Sequence, residues 1–241
     1  MLRAITTFLS VLSLAGCAST LLVNRDYASK LRPDEDKLLM MPLELHGFPE
    51  AVQTELEHVA HAQYMATFGD VGVSLQPVKL GMEAAGFGRI TWRLAQLVFH
   101  VASVHRSPHL VQDRCRHGAA RVVGYLGRFV TWAIGALQAA GAPVGGAPIF
   151  RYILVVSVEK LGKGSRGRPV RLRVVGGIVD VEKKEIVAAK WIEKDTEANK
   201  AAILVALAIT GRQLASGLRS VFNCGKVRGR ELNVCRGGAS P

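Results

Sequence analysis

The sequence predicts an α+β fold, an α/β sandwich in which a mixed sheet of about five strands packs against helices. Two observations predict it: short runs rich in β-branched residues, and longer stretches with apolar residues at helical spacing. The predicted order is strand, helix, strand, one or two helices, three strands and a last helix. A hydrophobic fraction of 49% in 241 residues suffices for one domain with a sizeable core.

The first part of the domain is predicted to hold two short strands around a helix. Residues 37–41 (KLLMM) form an apolar run that ends at Pro42, and residues 72–78 alternate apolar with smaller or polar residues. Between these strands, Pro49 suits the start of a helix, because apolar residues follow it at helical spacing as far as Phe68.

A long helical region follows these elements. Residues 82–140 are compatible with two helices separated by a break at Pro108, and residues 141–148 (GAPVGGAP) form a loop by composition. We therefore expect an enlarged helical insertion at residues 80–148. Residues 129–150 contain no charged residue, but Gly and Pro fill the last third of this stretch. Burial in the core or in an interface is thus favoured over membrane insertion.

The clearest pattern is an antiparallel three-stranded meander at residues 152–160, 170–181 and 186–192. Gly176 and Gly177 interrupt its middle strand, and a β-bulge is expected there.

A last helix is predicted after the meander. Asp195 and Thr196 suit its N-cap, and the helix is expected to stop at residues 223–225. The domain therefore spans residues 37–222. The apolar face of the last helix consists of Ile203, Leu204, Leu207, Leu214, Leu218 and Val221.

The N-terminus has the features of an export signal. Arg3 precedes an apolar run at residues 4–14 that is too short to span a bilayer. The four residues LAGC that end at Cys17 resemble the bacterial lipobox. This resemblance implies a signal peptide at residues 1–16 and a lipid on Cys17. An ordinary secretory signal peptide is the alternative.

The lipobox resemblance also implies a location. Residues 17–36 would form a lipidated tether, and the rest of the chain would face the periplasm. Ala18 stands at the position after the lipidated cysteine. A residue other than Asp at that position implies transfer to the outer membrane.

The formal net charge of +12 indicates an anionic partner or a solvated basic surface. Nucleic acid is not expected for an exported chain, and an anionic envelope polymer or an envelope protein takes its place. The hairpin between the first two meander strands holds the candidate contact for such a partner, and a solvated loop without a partner is the alternative. Its basic residues are Lys160, Lys163, Arg166 and Arg168.

Three further cysteines follow Cys17. Cys224 and Cys235 bracket a basic tail at residues 223–241, and export permits a disulfide between them. Cys115 is then left over, and a buried small hydrophobic residue is favoured there over a reactive thiol.

No catalytic residue, metal ligand or cofactor site is predicted. Gly162, Gly164 and Gly167 match G-x-G-x-x-G, but a strand follows the glycines where a nucleotide site needs a helix. Two groups of side chains were considered as metal ligands, and neither has the spacing of a common zinc site. The first group is Glu55, His58 and His61, and the second is His105, His109, Cys115 and His117.

The hydrophobic strands resemble a family of envelope lipoproteins. This family includes the curli secretion lipoprotein, the lipoprotein activators of penicillin-binding proteins and the amino-terminal domain of the Tol propeller protein. The resemblance implies a non-enzymatic lipoprotein that binds another envelope component as an accessory, activator or assembly subunit. The alternative is a ring-forming secretion or transport channel, and a homo-oligomer is compatible with both interpretations. The segments that carry the resemblance are residues 38–42, 139–141, 152–158, 171–180 and 186–191.

Overall fold

A computed structural model describes seven parts of the chain, with only the backbone given for residues 102, 104, 112–124 and 230–231. The described parts are residues 21–24, 37–104, 112–142, 150–162, 169–183, 185–222 and 230–231.

The described strands form one mixed eight-stranded sheet in the order β4-β2-β5-β6-β7-β1-β8, with β3 also paired to β5. The strands are β1 (Leu22–Val23), β2 (Lys37–Met40), β3 (Glu44–His46), β4 (Gly72–Ser74), β5 (Phe150–Leu161), β6 (Val170–Asp180), β7 (Glu185–Thr196) and β8 (Arg230–Glu231). The helices are α1 (Glu50–Phe68), α2 (Lys79–Ala84), α3 (Ile90–Val104), α4 (Gln112–Ala139) and α5 (Lys200–Arg219).

Helices cover both faces of this sheet. One core lies between the sheet and the pair α1 and α5, and the other lies between the sheet and α2, α3 and α4. Along β5, Leu154 and Val156 face the first core, whereas Ile153 and Val155 face the second. A strand buried on both faces has an almost continuous apolar sequence, which explains why the meander was the clearest pattern.

The α+β class and the predicted element order are confirmed. The five predicted strands are β2, β4, β5, β6 and β7, and three strands of two or three residues, β1, β3 and β8, were not predicted. Strands this short carry too few residues for an alternation pattern.

The predicted strand at residues 72–78 is too long, because β4 ends at Ser74. A 3₁₀ turn, Gln76–Val78, follows it. Pro77 has no N–H to donate to a ladder, and the backbone N–H of Gln76 donates to Ser74 Oγ at 3.1 Å.

The helical insertion contains three helices instead of the predicted two. The additional break lies between α2 and α3, where Gly86 has φ +80°. The backbone N–H of Phe87 donates to the carbonyl of Met82 at 2.7 Å, and this bond closes the end of α2.

The bulge expected at Gly176 and Gly177 is wrong in position. Both glycines are in register with β5 and with β7, and the irregularity lies between Ile178 and Val179. A Cβ on Gly176 would lie 2.5 Å from Leu214 Cδ2. The glycines therefore serve the approach of helices to the sheet.

The predicted cap of α5 is also wrong. β7 continues through Thr196, and the N-cap is Asn199, whose side-chain oxygen accepts from the backbone N–H of Ala202 at 2.8 Å. Asp195 instead accepts two hydrogen bonds from Arg171 on the neighbouring strand β6, at 2.8 and 3.2 Å.

Candidate functional site

Most of the predicted site residues lie outside the described residues. These are Cys17, Cys224, Cys235, Lys163, Arg166 and Arg168. Lipidation, the disulfide and the basic hairpin contact therefore stay predictions. Cys115 lies in α4, in the part where only the backbone is described.

Lys160 is placed, near the end of β5 and half-buried. The neighbouring described arginines are in ion pairs. Arg171 Nε lies 2.8 Å from Asp195 Oδ1, and this hydrogen bond lowers the pKa of the Asp195 carboxyl. Arg173 bridges the carboxylates of Glu193 and Glu159, at 2.9 and 3.3 Å. A contact with anions at this end thus depends on the other lysines and arginines of the hairpin.

Strand β1 fixes the direction in which the N-terminal segment leaves the sheet. Leu22 pairs with Ala189 and Val23 with Ala188, antiparallel to β7. Residues 21–24, which belong to the segment expected to be a tether, are buried. Because β7 runs toward the β5–β6 hairpin and β1 is antiparallel to it, the N-terminal end of β1 points toward that same end of the sheet.

A cavity of about 450 Å³ opens between the α2–α3 turn and α4. We call it the α2–α3 cavity, and its lining consists of Glu83, Gly86, Phe87, Gly88, Arg89, Ile90, Arg93 and Tyr125. Its volume is within the range of small-molecule sites.

The cavity combines a packed apolar part with exposed charge. The Phe87 ring lies 5.3 Å from that of Phe129 and 5.4 Å from that of Trp132, centroid to centroid. Arg89 and Arg93 line the mouth together with the exposed Tyr125, and they bring two cationic groups to it. The sequence analysis missed this site, although two arginines four residues apart after a Gly-Phe-Gly turn were a readable signal.

A second group of ionisable side chains lies around β3, near α1 and α2. Burial raises the pKa of the Glu44 carboxyl to about 7; Lys79 opposes this rise, and the charges of Glu57 and Glu83 add to it. Glu44 Oε2 lies 3.6 Å from His46 Nε2, and burial lowers the pKa of that imidazole. Glu44 therefore exchanges a proton near neutral pH.

The side chains on α1 considered as metal ligands have other partners. His61 Nε2 lies 2.7 Å from Ser74 Oγ, and Glu55 forms an ion pair with Lys200. Within the described ranges, no group of three or more His, Cys, Asp or Glu side chains is arranged to hold a metal ion.

By length and composition, one helix in the described part of the chain, Lys200–Phe222, is apolar enough to cross a membrane. Leu207, Leu214 and Leu218 of this segment are buried in the core against the sheet, whereas Val205 and Ile209 are exposed. The apolar stretch predicted to be buried, residues 129–150, contributes Phe129, which is fully buried.

No family model and no curated protein matches this chain. The solved structures that resemble it include two of PelC from Paraburkholderia phytofirmans. One is a dodecamer of PelC with a single leucine-to-methionine substitution; it is 12% identical at a TM-score of 0.37, and the alignment covers 82% of this chain and 98% of that chain. The other is the PelC dodecamer without that substitution, which is 10% identical at the same TM-score and coverage. A likeness this low carries no argument about function.

Proposed function

We propose that this chain is a non-enzymatic lipoprotein of the bacterial cell envelope. A lipid on Cys17 holds it at the periplasmic face of the outer membrane, and the domain binds another envelope component as an accessory, activator or assembly subunit. The observation that carries the proposal is the LAGC sequence ending at Cys17, five positions before Leu22. Leu22 is 1% exposed, so the folded domain begins almost directly after the lipid.

The short connection supports an orientation on the membrane. Five residues span at most about 18 Å when fully extended. β1 points its N-terminal end toward the β5–β6 hairpin, so this end of the sheet is the one that faces the bilayer. A lipid together with a basic segment anchors a protein more firmly than one acyl chain does.

The basic hairpin then has a defined role. Lys160, Lys163, Arg166 and Arg168 would contact the anionic headgroups of the membrane that holds the lipid. The opposite end of the sheet and the helical faces remain available to a protein partner.

Replacing Cys17 by Ser tests the anchor. We expect an unprocessed precursor that a fatty-acid analogue no longer labels, because a serine hydroxyl cannot receive the thioether lipid. Cys115→Ser is the matched control and should be processed and labelled normally. Labelling of the Cys17→Ser protein at the level of the control would refute the proposal.

The mass of the protein in mild detergent tests the second half of the proposal. A monomer, a dimer or a small complex fits an accessory or an assembly subunit. A large closed ring would contradict it in favour of a secretion or transport channel. Crosslinking in intact envelopes, followed by capture of the chain, identifies the component that it binds.

A further inference from the structure

We propose that the α2–α3 cavity binds a small anionic ligand that carries a carboxylate or a phosphate beside a flat, apolar body. The inference is independent of lipidation, since every residue that lines the cavity lies within residues 83–125.

The charge of the cavity favours an anion. Arg89 and Arg93 are four residues apart around the start of α3, so they lie on one side of the helix. Neither forms an ion pair within the described part of the chain, in contrast to Arg171 and Arg173 of the sheet. Glu83 supplies the one opposing charge in the lining, and one positive charge is left over.

Two guanidinium groups suit a carboxylate or a phosphate in particular. Each presents N–H donors in a planar fork that matches two oxygens of such a group. An arginine surrounded by solvent attracts an anion only weakly. A concave apolar wall behind the arginine lowers the local dielectric and strengthens that attraction.

The apolar lining favours a ring or a similarly flat body next to the anionic group. Ile90 is 6% exposed. The ring of Phe87 is held in place by its contacts with Phe129 and Trp132. Tyr125 also lines the cavity and is 50% exposed, and Arg128 Cζ lies 4.8 Å from the centroid of its ring. The two lining rings offer aromatic surface to a flat ligand.

Backbone hydrogen bonds fix the turn that forms one wall of the cavity. The backbone N–H of Gly86 donates to the Glu83 carbonyl at 3.0 Å, and that of Ile90 donates to the Phe87 carbonyl at 2.9 Å. These bonds hold the α2–α3 turn in one conformation, so binding requires little ordering of the backbone.

Three probes test the inference on the full-length chain in mild detergent: phenyl phosphate, benzoate and the neutral analogue benzyl alcohol. Ligand-observed NMR titrations give the affinity of each. We expect both anions to bind and benzyl alcohol to bind at least about tenfold more weakly, by about the strength of one charge-assisted hydrogen bond. The ranking of phenyl phosphate against benzoate identifies the preferred anion.

The double variant Arg89→Gln and Arg93→Gln should lose about tenfold or more in affinity for the anions. Tyr125→Ala should weaken both anions and the neutral analogue alike. Arg212→Gln, an exposed arginine on α5 across the sheet, is the matched control and should bind as the unaltered chain does. Absence of binding by every probe, equal binding of all three, or an equal loss in the Arg212→Gln control would overturn the inference.

Discussion

Gly176 and Gly177 are adjacent residues of β6 that let helices approach the sheet from opposite faces. A Cβ on Gly176 would meet Leu214 of α5, and a Cβ on Gly177 would lie 2.6 Å from Val98 Cγ1 of α3 and 2.9 Å from the carbonyl of Ala188. The backbone carbonyl cannot move aside as a flexible side chain can. Each glycine therefore sets the spacing between the sheet and one helical layer.

Gly177→Ala should consequently destabilise the domain by about 1–3 kcal/mol through overpacking. Urea denaturation followed by circular dichroism measures this loss. Gly135→Ala is the matched control, because no atom lies within 4 Å of the added Cβ in α4. There we expect a gain of about 0.5–1 kcal/mol from helix propensity. Equal effects of the two substitutions would contradict the packing role of Gly177.

Glu44 makes the stability of the domain depend on pH. Burial raises its pKa from 4.5 to about 7 in the folded chain, so the folded state binds the proton more tightly than the unfolded state. The stabilisation that comes from protonating Glu44 in the folded state is complete below pH 4.5 and is lost as pH rises through 7. The change corresponds to at most about 3 kcal/mol.

Glu44→Gln should therefore flatten the decline in unfolding free energy between about pH 5 and 8, a range taken from the pKa of Glu44. The measurement is urea denaturation at a series of pH values for both proteins. His46, whose pKa burial lowers, contributes in the opposite direction. Because its Nε2 lies 3.6 Å from Glu44 Oε2, the difference between the curves reports on Glu44 together with its effect on His46. Parallel curves would show that Glu44 is not the responsible group.

Single residues were also where sequence patterns were least reliable. Asp195, Thr196 and Asn199 are all good capping residues, and the tertiary pairing of Asp195 with Arg171 selects Asn199. A pair of glycines in a strand fits a bulge as well as a close helix, and only the positions of Leu214 and Val98 distinguish the two.

At the scale of elements, β1 is a two-residue strand that connects β7 to the edge strand β8 in the sheet. It pairs with β7 on one side and with β8 on the other. Leu22 packs in the second core, which lies on the α3 and α4 side of the sheet. A segment with this position stabilises the domain although its length is that of a turn.

We expect Leu22→Asp to reduce the unfolding free energy by about 3 kcal/mol or more, because it places a charge among apolar side chains. Thermal denaturation of the purified chain would show a lower midpoint. Leu80→Asp is the matched control, since Leu80 is 81% exposed and should tolerate the charge. If Leu22→Asp is as stable as the control, residues 21–24 do not contribute to the folded core.

Periodicity identified the long elements and missed the short ones. The meander and α1 follow their hydrophobic patterns closely, because both are governed by burial over many residues. The α2–α3 turn depends on the positive φ of Gly86, and its neighbours have an uninterrupted helical pattern. The sequence analysis therefore treated the Gly-Phe-Gly turn as part of one continuous helix and did not predict the cavity there.

At the scale of the whole molecule, the proposed lipid and the proposed basic contact would act on the same end of the sheet. Replacing Lys163, Arg166 and Arg168 of the predicted hairpin loop by Glu should leave the melting temperature unchanged, because loop residues contribute little to stability. Lys160 is kept, since it is a half-buried residue of β5. Binding of the lipidated chain to vesicles that contain phosphatidylglycerol should weaken. The loss should be largest at low salt, since exposed charges are screened within about 10 Å at 0.1 M.

Vesicles of phosphatidylcholine alone are the control for this experiment, and both proteins should bind them equally through the lipid. Cosedimentation over a salt series measures binding to the anionic vesicles and to the neutral vesicles. If charge reversal leaves binding to the anionic vesicles unchanged at low salt, the hairpin is a solvated loop. The orientation proposed for the domain would then rest on β1 alone.

The burial of β1 has a consequence for where a partner must be. About twenty free residues would let a lipid-anchored domain search about 70 Å from the bilayer, whereas the roughly five that precede Leu22 allow about 18 Å. The domain would thus work at an almost constant height above the lipid headgroups. A partner embedded in the cell wall would have to extend toward the membrane to meet it, and a partner in the same membrane would meet it by lateral diffusion.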